Sequence, residues 1–204
     1  TELFNGLAWT AGGVMNTGIQ QGGGYGISTA AICCAGLSST PNGFMLVTQE
    51  YNGASWANLP SLSTGRKYMQ AGGTSTSGIC GGGATTGVTV IGNTELYNGV
   101  SWTTVPSFNT ARGSYGMAKQ GSSTASLIFA GNKPSPSTTN CEQWNGSSWT
   151  EVAVCNVGTQ ELTGAGVSTG NALKFGGNHP GGYTESTEEW AGVSPAVVKT
   201  VTVS

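Results

Sequence analysis

The sequence predicts an all-β protein built from repeated four-stranded units, and three observations carry that prediction. One phrase recurs: Thr1-Glu2-Leu3-Phe4-Asn5-Gly6, closing at Trp9, returns in variants closing at Trp56, Trp102 and Trp149. A truncated copy stands at Thr187-Glu188-Glu189-Trp190-Ala191-Gly192. The aromatic residue before the turn falls at Phe4, Tyr51, Tyr97, Trp144 and Trp190, in steps of 47, 46, 47 and 46 residues. Periods of this size belong to propellers and helical arrays, whose units bury their apolar faces only against neighbours. Composition then removes the helical option. Of 204 residues 35 are Gly and only 8 % are charged, and there is no 3.6-residue apolar rhythm. The third observation is Asn-Gly in four of the five copies, with Ala191-Gly192 in the last. That dipeptide is the strongest short hairpin signal.

The elements follow in order. The chain opens on an outer hairpin, residues 1–13, that has no inner strands of its own before it. Each full repeat begins with a lead-in: Leu62-Ser63-Thr64-Gly65-Arg66 matches Phe108-Asn109-Thr110-Ala111-Arg112. Looser versions are Met15-Asn16-Thr17-Gly18-Ile19 and Cys155-Asn156-Val157-Gly158-Thr159. An inner strand of small residues comes next. An apolar strand then ends in a small pair at Ala35-Gly36, Gly82-Gly83, Ala130-Gly131 and Gly176-Gly177, where missing side chains let backbones approach. The third strand carries the Thr-Glu-x-Tyr phrase and the fourth the Trp. If the turn is a two-residue type I′ turn with φ > 0 twice, Tyr51 and Ala54 flank it and Gln49 pairs with Trp56. Inner strand pairs are expected near residues 18–36, 65–83, 112–131 and 159–177.

One period from end to end argues for a single domain over 1–204. There are five outer-hairpin starts but four inner pairs, which gives four or five blades. Residues 1–13 either close the ring, join a blade whose inner half lies upstream, or pair with a neighbouring copy, since an unpaired strand edge is a template for another chain. Residues 193–204 contain an alternating stretch, Val197 to Val203, that reads as a C-terminal strand competing for the same place. Residue 1 is Thr and falls within a repeat, so either a leader was removed or the chain is a piece of a longer one.

The order of Gly82-Gly83, Tyr97 and Trp102 resembles the Kelch repeat, marked by a Gly-Gly doublet, a later Tyr and then a Trp. The last copy departs from it: Trp190 stands in the Tyr position and the closing Trp is missing. The resemblance covers nearly the whole chain and implies a Kelch-like β-propeller of four-stranded blades, four repeats of 46–47 residues plus the extra N-terminal hairpin. More narrowly, Thr-Glu-Glu-Trp with Asn-Gly-Ser-Ser-Trp, in a chain rich in Gly, Ser and Thr, resembles repeats in virion proteins of marine and cyanobacterial tailed phages.

Chemistry is sparse. The chain has no Asp, which excludes Asp-rich calcium loops, Asp-dependent glycosidase sites and Ser-His-Asp triads in their usual forms. Glu2, Glu95, Glu142 and Glu188 recur two residues before the hairpin aromatic, with Gln49 in the second copy. That regularity predicts carboxylates holding backbone donors between blades, not a catalytic pair. His179 is the only histidine and cannot by itself build the copper site of Kelch-like galactose oxidases. Cys33, Cys34, Cys80, Cys141 and Cys155 show no Cys-x-x-Cys spacing and read as buried small hydrophobes. The glycine runs lack the Gly-Lys-Ser/Thr of a phosphate loop. Asn145-Gly146-Ser147 matches the glycosylation triplet but occupies a tight turn. No catalytic residue, cofactor or metal is predicted.

A net charge of -2 gives no footprint for nucleic acid or an anionic membrane, and the longest apolar runs are too short to span a bilayer. The connections after the small pairs vary most: residues 37–47 with Pro41 and Phe44, 84–93, 132–140 with two prolines, and 178–186 with His179 and Tyr183. Loops on a rigid scaffold carry recognition, so Phe44, His179 and Tyr183 are the ligand-binding candidates. The expected function is a noncatalytic structural or adhesive propeller outside the cell, in a virion fibre, spike or appendage. Its partners would be other virion proteins, copies of itself, or a host-surface glycan or protein. Alternatives are a lectin-type carbohydrate-binding module and an intracellular Kelch adaptor.

Overall fold

In the computed structural model, residues 1–38, 43–86, 89–118, 122–132, 136–167 and 170–192 are described. Pro41, Pro134 and the expected C-terminal strand within 193–204 lie outside them. The described chain is all β and contains no helix. An N-terminal hairpin joins β1 (Glu2–Phe4) to β2 (Trp9–Ala11). Blade 1 is β3 (Gly23–Ile27), β4 (Ala30–Cys34), β5 (Thr48–Tyr51) and β6 (Trp56–Leu59). Blade 2 is β7 (Gln70–Thr74), β8 (Ser77–Gly81), β9 (Thr94–Tyr97) and β10 (Trp102–Val105). Blade 3 is β11 (Gly116–Met117), β12 (Ser126–Phe129), β13 (Cys141–Trp144) and β14 (Trp149–Val152). Blade 4 is β15 (Thr163–Val167), β16 (Asn171–Phe175) and β19 (Thr187–Trp190), with a small hairpin of β17 (Asn178–His179) and β18 (Gly182–Tyr183) in its loop.

Each sheet is an antiparallel meander, and the sheets stand side by side as the four blades of a β-propeller. Innermost strands β3, β7, β11 and β15 contact one another in that order. Three hydrophobic clusters fill the three junctions. Tyr25, Ile32 and Cys34 meet Leu62, Met69 and Cys80 between blades 1 and 2; Ile79 meets Phe108, Met117 and Ile128 between blades 2 and 3; Leu127 and Phe129 meet Leu162 and Ala172 between blades 3 and 4. The small residues of the inner strands follow from this packing. A Cβ on Gly78 would lie 2.1 Å from the Tyr25 hydroxyl, and one on Gly164 2.4 Å from the Phe129 ring.

The small pair has two different requirements. Its first residue is left-handed, with φ of 57° at Ala35, 58° at Gly82, 55° at Ala130 and 65° at Gly176, and tolerates Ala. Its second is left-handed and crowded: a Cβ on Gly83 would meet the Lys67 carbonyl oxygen at 2.5 Å. Only glycine satisfies both conditions.

The hairpin turn corrects the expected register. Tyr51 pairs with Trp56 and Gln49 with Asn58, so the loop spans four residues, Asn52 to Ser55. Only Gly53 has positive φ. Asn52 instead shapes the turn through its side chain, whose Oδ1 accepts the backbone N–H groups of Ala54 and Ser55. The same arrangement recurs at Asn5, Asn98 and Asn145.

The recurring glutamates hold backbone donors, as their periodicity predicts. Glu95 accepts from Ser63 N–H, Glu142 from Asn109 and Thr110, and Glu188 from Asn156 and Val157, while Gln49 brackets Thr17 with both its amide groups. Buried cations complete the sites: Arg66 on Glu95, Arg112 on Glu142, and Lys174 on Glu188 at 2.8 Å. Each arginine also donates to three carbonyls, so its guanidinium is well satisfied where water is excluded. Glu2, whose blade has no inner half here, is exposed.

Candidate recognition face

The lead-in, the residue after the small pair and the returning loop form a three-step ladder at the same end of every blade. Gln20 bridges Leu37, which bridges Phe44; Lys67 bridges Ala84, then Val90; Gly113 bridges Asn132, then Ser137. In blade 4 Gln160 bridges Asn178, which pairs with Tyr183. Each loop is closed by one backbone bond, from Met45, Ile91, Thr138 or Thr184 to the carbonyl of the pair's second glycine. Phe44, Val90, Ser137 and Tyr183 are therefore one structural position carrying four different side chains. Because the blades repeat, all four positions lie on one face of the propeller.

A second ring lies nearer the axis. Gln21, Tyr68, Ser114 and Glu161, each two residues before an innermost strand, are left-handed with φ between 49° and 59°. None is glycine, and such residues store roughly 1–2 kcal/mol each. Their backbones link the blades: Tyr68 N–H donates to Gln21 O, Ser114 to Tyr68 O, and Glu161 to Ser114 O. The constraint falls on the main chain, which frees the side chains to vary; those of Gln21, Tyr68 and Glu161 are exposed.

The structure sets the three predicted residues within this frame without joining them into one site. Phe44 and Tyr183 occupy equivalent positions on blades 1 and 4, with two blades between them. Phe44 is half-buried with the Lys67 ammonium 5.8 Å from its ring, and the same ammonium lies 4.7 Å from the Tyr68 ring. Tyr183 is 90 % exposed. His179 sits in β17, where Nδ1 accepts the Gly181 N–H at 3.0 Å. The bond shapes its own loop. Sequence reasoning passed over Gln21, Tyr68 and Glu161; their fixed offset from the lead-in was the available signal, but no glycine marked the left-handed backbone.

A groove of about 520 Å³ opens where the turns of blades 1 and 2 converge, lined by Gly24 to Ile27, Ala30 and Gly73 to Ser75. Three of its eight lining residues are glycine. The buried Tyr25 hydroxyl has no hydrogen-bond partner among the described residues, and burial pushes its pKa up. Among the described residues no three acidic, histidine or cysteine side chains cluster as metal ligands, and no helix is long and apolar enough to cross a membrane. No known protein-family model matches the chain, and no curated protein matches it.

Proposed function

We propose that this chain is a noncatalytic structural or adhesive propeller that works by assembling end to end with copies of itself, in an extracellular setting such as a phage fibre, spike or appendage. One observation carries the reading: blade 4 presents outward the same face that blades 1 to 3 bury. In β15 and β16 exposure alternates strictly, with Gly164, Ala172 and Lys174 buried against blade 3. Thr163, Ala165, Val167, Leu173 and Phe175 face out. Leu173 is 40 % and Phe175 37 % exposed, whereas their counterparts Leu127 and Phe129 are 1 % and 2 % exposed.

The opposite end is its complement. Every internal junction uses two backbone bonds: Gly36, Gly83 and Gly131 N–H donate to Arg66, Arg112 and Thr159 O, and the left-handed residues bond in the reverse sense. At the free ends the corresponding groups are Gly177 N–H and Glu161 O on blade 4, and Ile19 O and Gln21 N–H on blade 1. A second copy docking in this register brings its β1–β2 hairpin to the outer edge of blade 4. There its Glu2 would stand opposite Lys174, exchanging with Glu188 of β19. Scarce charge and a hydroxyl-rich surface suit extracellular exposure, and Thr-Glu-Glu-Trp with Asn-Gly-Ser-Ser-Trp, in a chain rich in Gly, Ser and Thr, is what carries the resemblance to virion repeats.

Sedimentation of the full chain over a range of concentrations tests this reading. Wild type should associate, and Leu173→Glu with Phe175→Glu should stay monomeric while keeping its β spectrum. A wild type that remains monomeric at every concentration overturns it. The lectin reading rests on exposed aromatics such as Tyr183, Tyr68 and Trp9, since Tyr51, Tyr97 and Trp144 are buried in the blades. Glycan binding lost on Tyr183→Ser would favour it.

A further inference from the structure

We infer that Cys141 and Cys155 form a peroxide-sensitive dithiol that closes to a disulfide and locks blade 4 onto blade 3. Cys141 opens β13 on blade 3, and Cys155 stands in the lead-in to blade 4, at the position of Leu62 and Phe108. Their sulfurs are 3.1 Å apart, about 1 Å beyond the ~2.05 Å of an S–S bond. Backbone holds them there: Cys155 N–H donates to Thr139 O at 2.8 Å, and the Cys141 thiol points at the same carbonyl at 3.7 Å.

The two sulfurs are chemically unequal. The contact with the Cys155 thiol and, less strongly, the nearby Arg112 hold the Cys141 pKa below the usual thiol value. Cys155 is pushed up by that same contact and by burial. Cys141 is thus the nucleophile and Cys155 the resolving thiol. A cavity of about 40 Å³, lined by both cysteines with Phe129, Ala172 and Trp190, reaches them and is large enough for peroxide but not for a bulky disulfide reagent.

The chemistry balances with hydrogen peroxide as the oxidant. The Cys141 thiolate attacks one peroxide oxygen and breaks the O–O bond; the departing hydroxide takes a proton to become water, leaving a sulfenic acid. The Cys155 sulfur then attacks the Cys141 sulfur, forming S–S and expelling the hydroxyl, which leaves as a second water with the Cys155 proton. Two thiols are oxidised and one peroxide reduced.

The molecule carries its own control. Cys34 and Cys80 also meet across blades 1 and 2, but both are fully enclosed and line neither described cavity. Treat the folded full chain with hydrogen peroxide, block free thiols after denaturation, and map cysteines by mass spectrometry without reduction. The expected product is a peptide pair linked through Cys141 and Cys155, with Cys34 and Cys80 still alkylated. The Tm should rise by roughly 5–10 °C, reversed by reductant. In Cys155→Ser, Cys141 should stop at sulfenic acid and react with a dimedone probe. Free Cys141 and Cys155 after oxidation of the wild type, or oxidation of Cys34 and Cys80 first, overturns the inference, and neither result depends on a variant folding.

Discussion

The junction between blades 2 and 3 and the outward face of blade 4 are built from the same repeat positions, yet one is sealed and the other open. At the junction, Ile79 and Ile128 are buried among Phe108, Tyr115 and Met117. On blade 4 the counterpart of Ile79 is Leu173, which is 40 % exposed, while Lys174, in the place of Ile128, stays buried against blade 3. The N-terminal hairpin repeats the lesson: Phe4 is 54 % exposed where Tyr51 and Tyr97 are buried, although Phe4 contacts Trp9 at 5.2 Å much as Tyr51 contacts Trp56 at 5.3 Å. Local pairing makes the hairpin, and only the neighbouring blade makes the core. If a second copy covers the exposed apolar strip, as proposed, its substitution should be cheap in the isolated chain and costly in an assembly.

The largest contrast should come from Phe129→Ala against Phe175→Ala. Truncating Phe129 should cost about 3–5 kcal/mol in urea unfolding, and truncating Phe175 under ~1 kcal/mol while the chain is monomeric. Similar losses at the two positions would mean that the blade 4 face is not open. A comparable effect is expected for Arg112→Ala, about 3–5 kcal/mol, because Glu142 would be left buried with an uncompensated charge. Lys174→Ala should cost less, because among the described residues Lys174 makes one hydrogen bond where Arg112 makes several, and Glu188 is less completely enclosed than Glu142.

Glycines sharpen the comparison at smaller scale. Gly83→Ala should lose roughly 2–4 kcal/mol, since it meets both a forbidden backbone and the Lys67 carbonyl. Gly176→Ala should lose no more than about 1 kcal/mol, since Ala already occupies the equivalent conformation at 35 and 130 and nothing lies within 4 Å of the added Cβ. Tyr183→Ser should change stability by less than ~0.5 kcal/mol and report only on recognition.

Most of the architecture was legible because it repeats. Constant spacing located the strands, and Glu95 and Glu142 announced their role by recurring where a blade needs an acceptor. The turn register was not legible: Asn-Gly suggested two left-handed residues, but the Asn52 side chain does the work that backbone φ was expected to do. The ladder of loop bridges was hidden for another reason. Phe44 and Tyr183 stand at different distances from their small pairs, eight residues past Gly36 and six past Gly177, so only the bridges reveal their equivalence. The cysteine pair was invisible because Cys155 belongs to the next blade's lead-in, and its approach to Cys141 depends on how blades dock.

The most direct test is electron cryomicroscopy of the concentrated full chain without imposed symmetry, asking what covers Leu173 and Phe175. This account predicts the first blade of a second copy there, with Gln21 N–H on the neighbour's Glu161 carbonyl. Solitary particles with that face bare to solvent would contradict it.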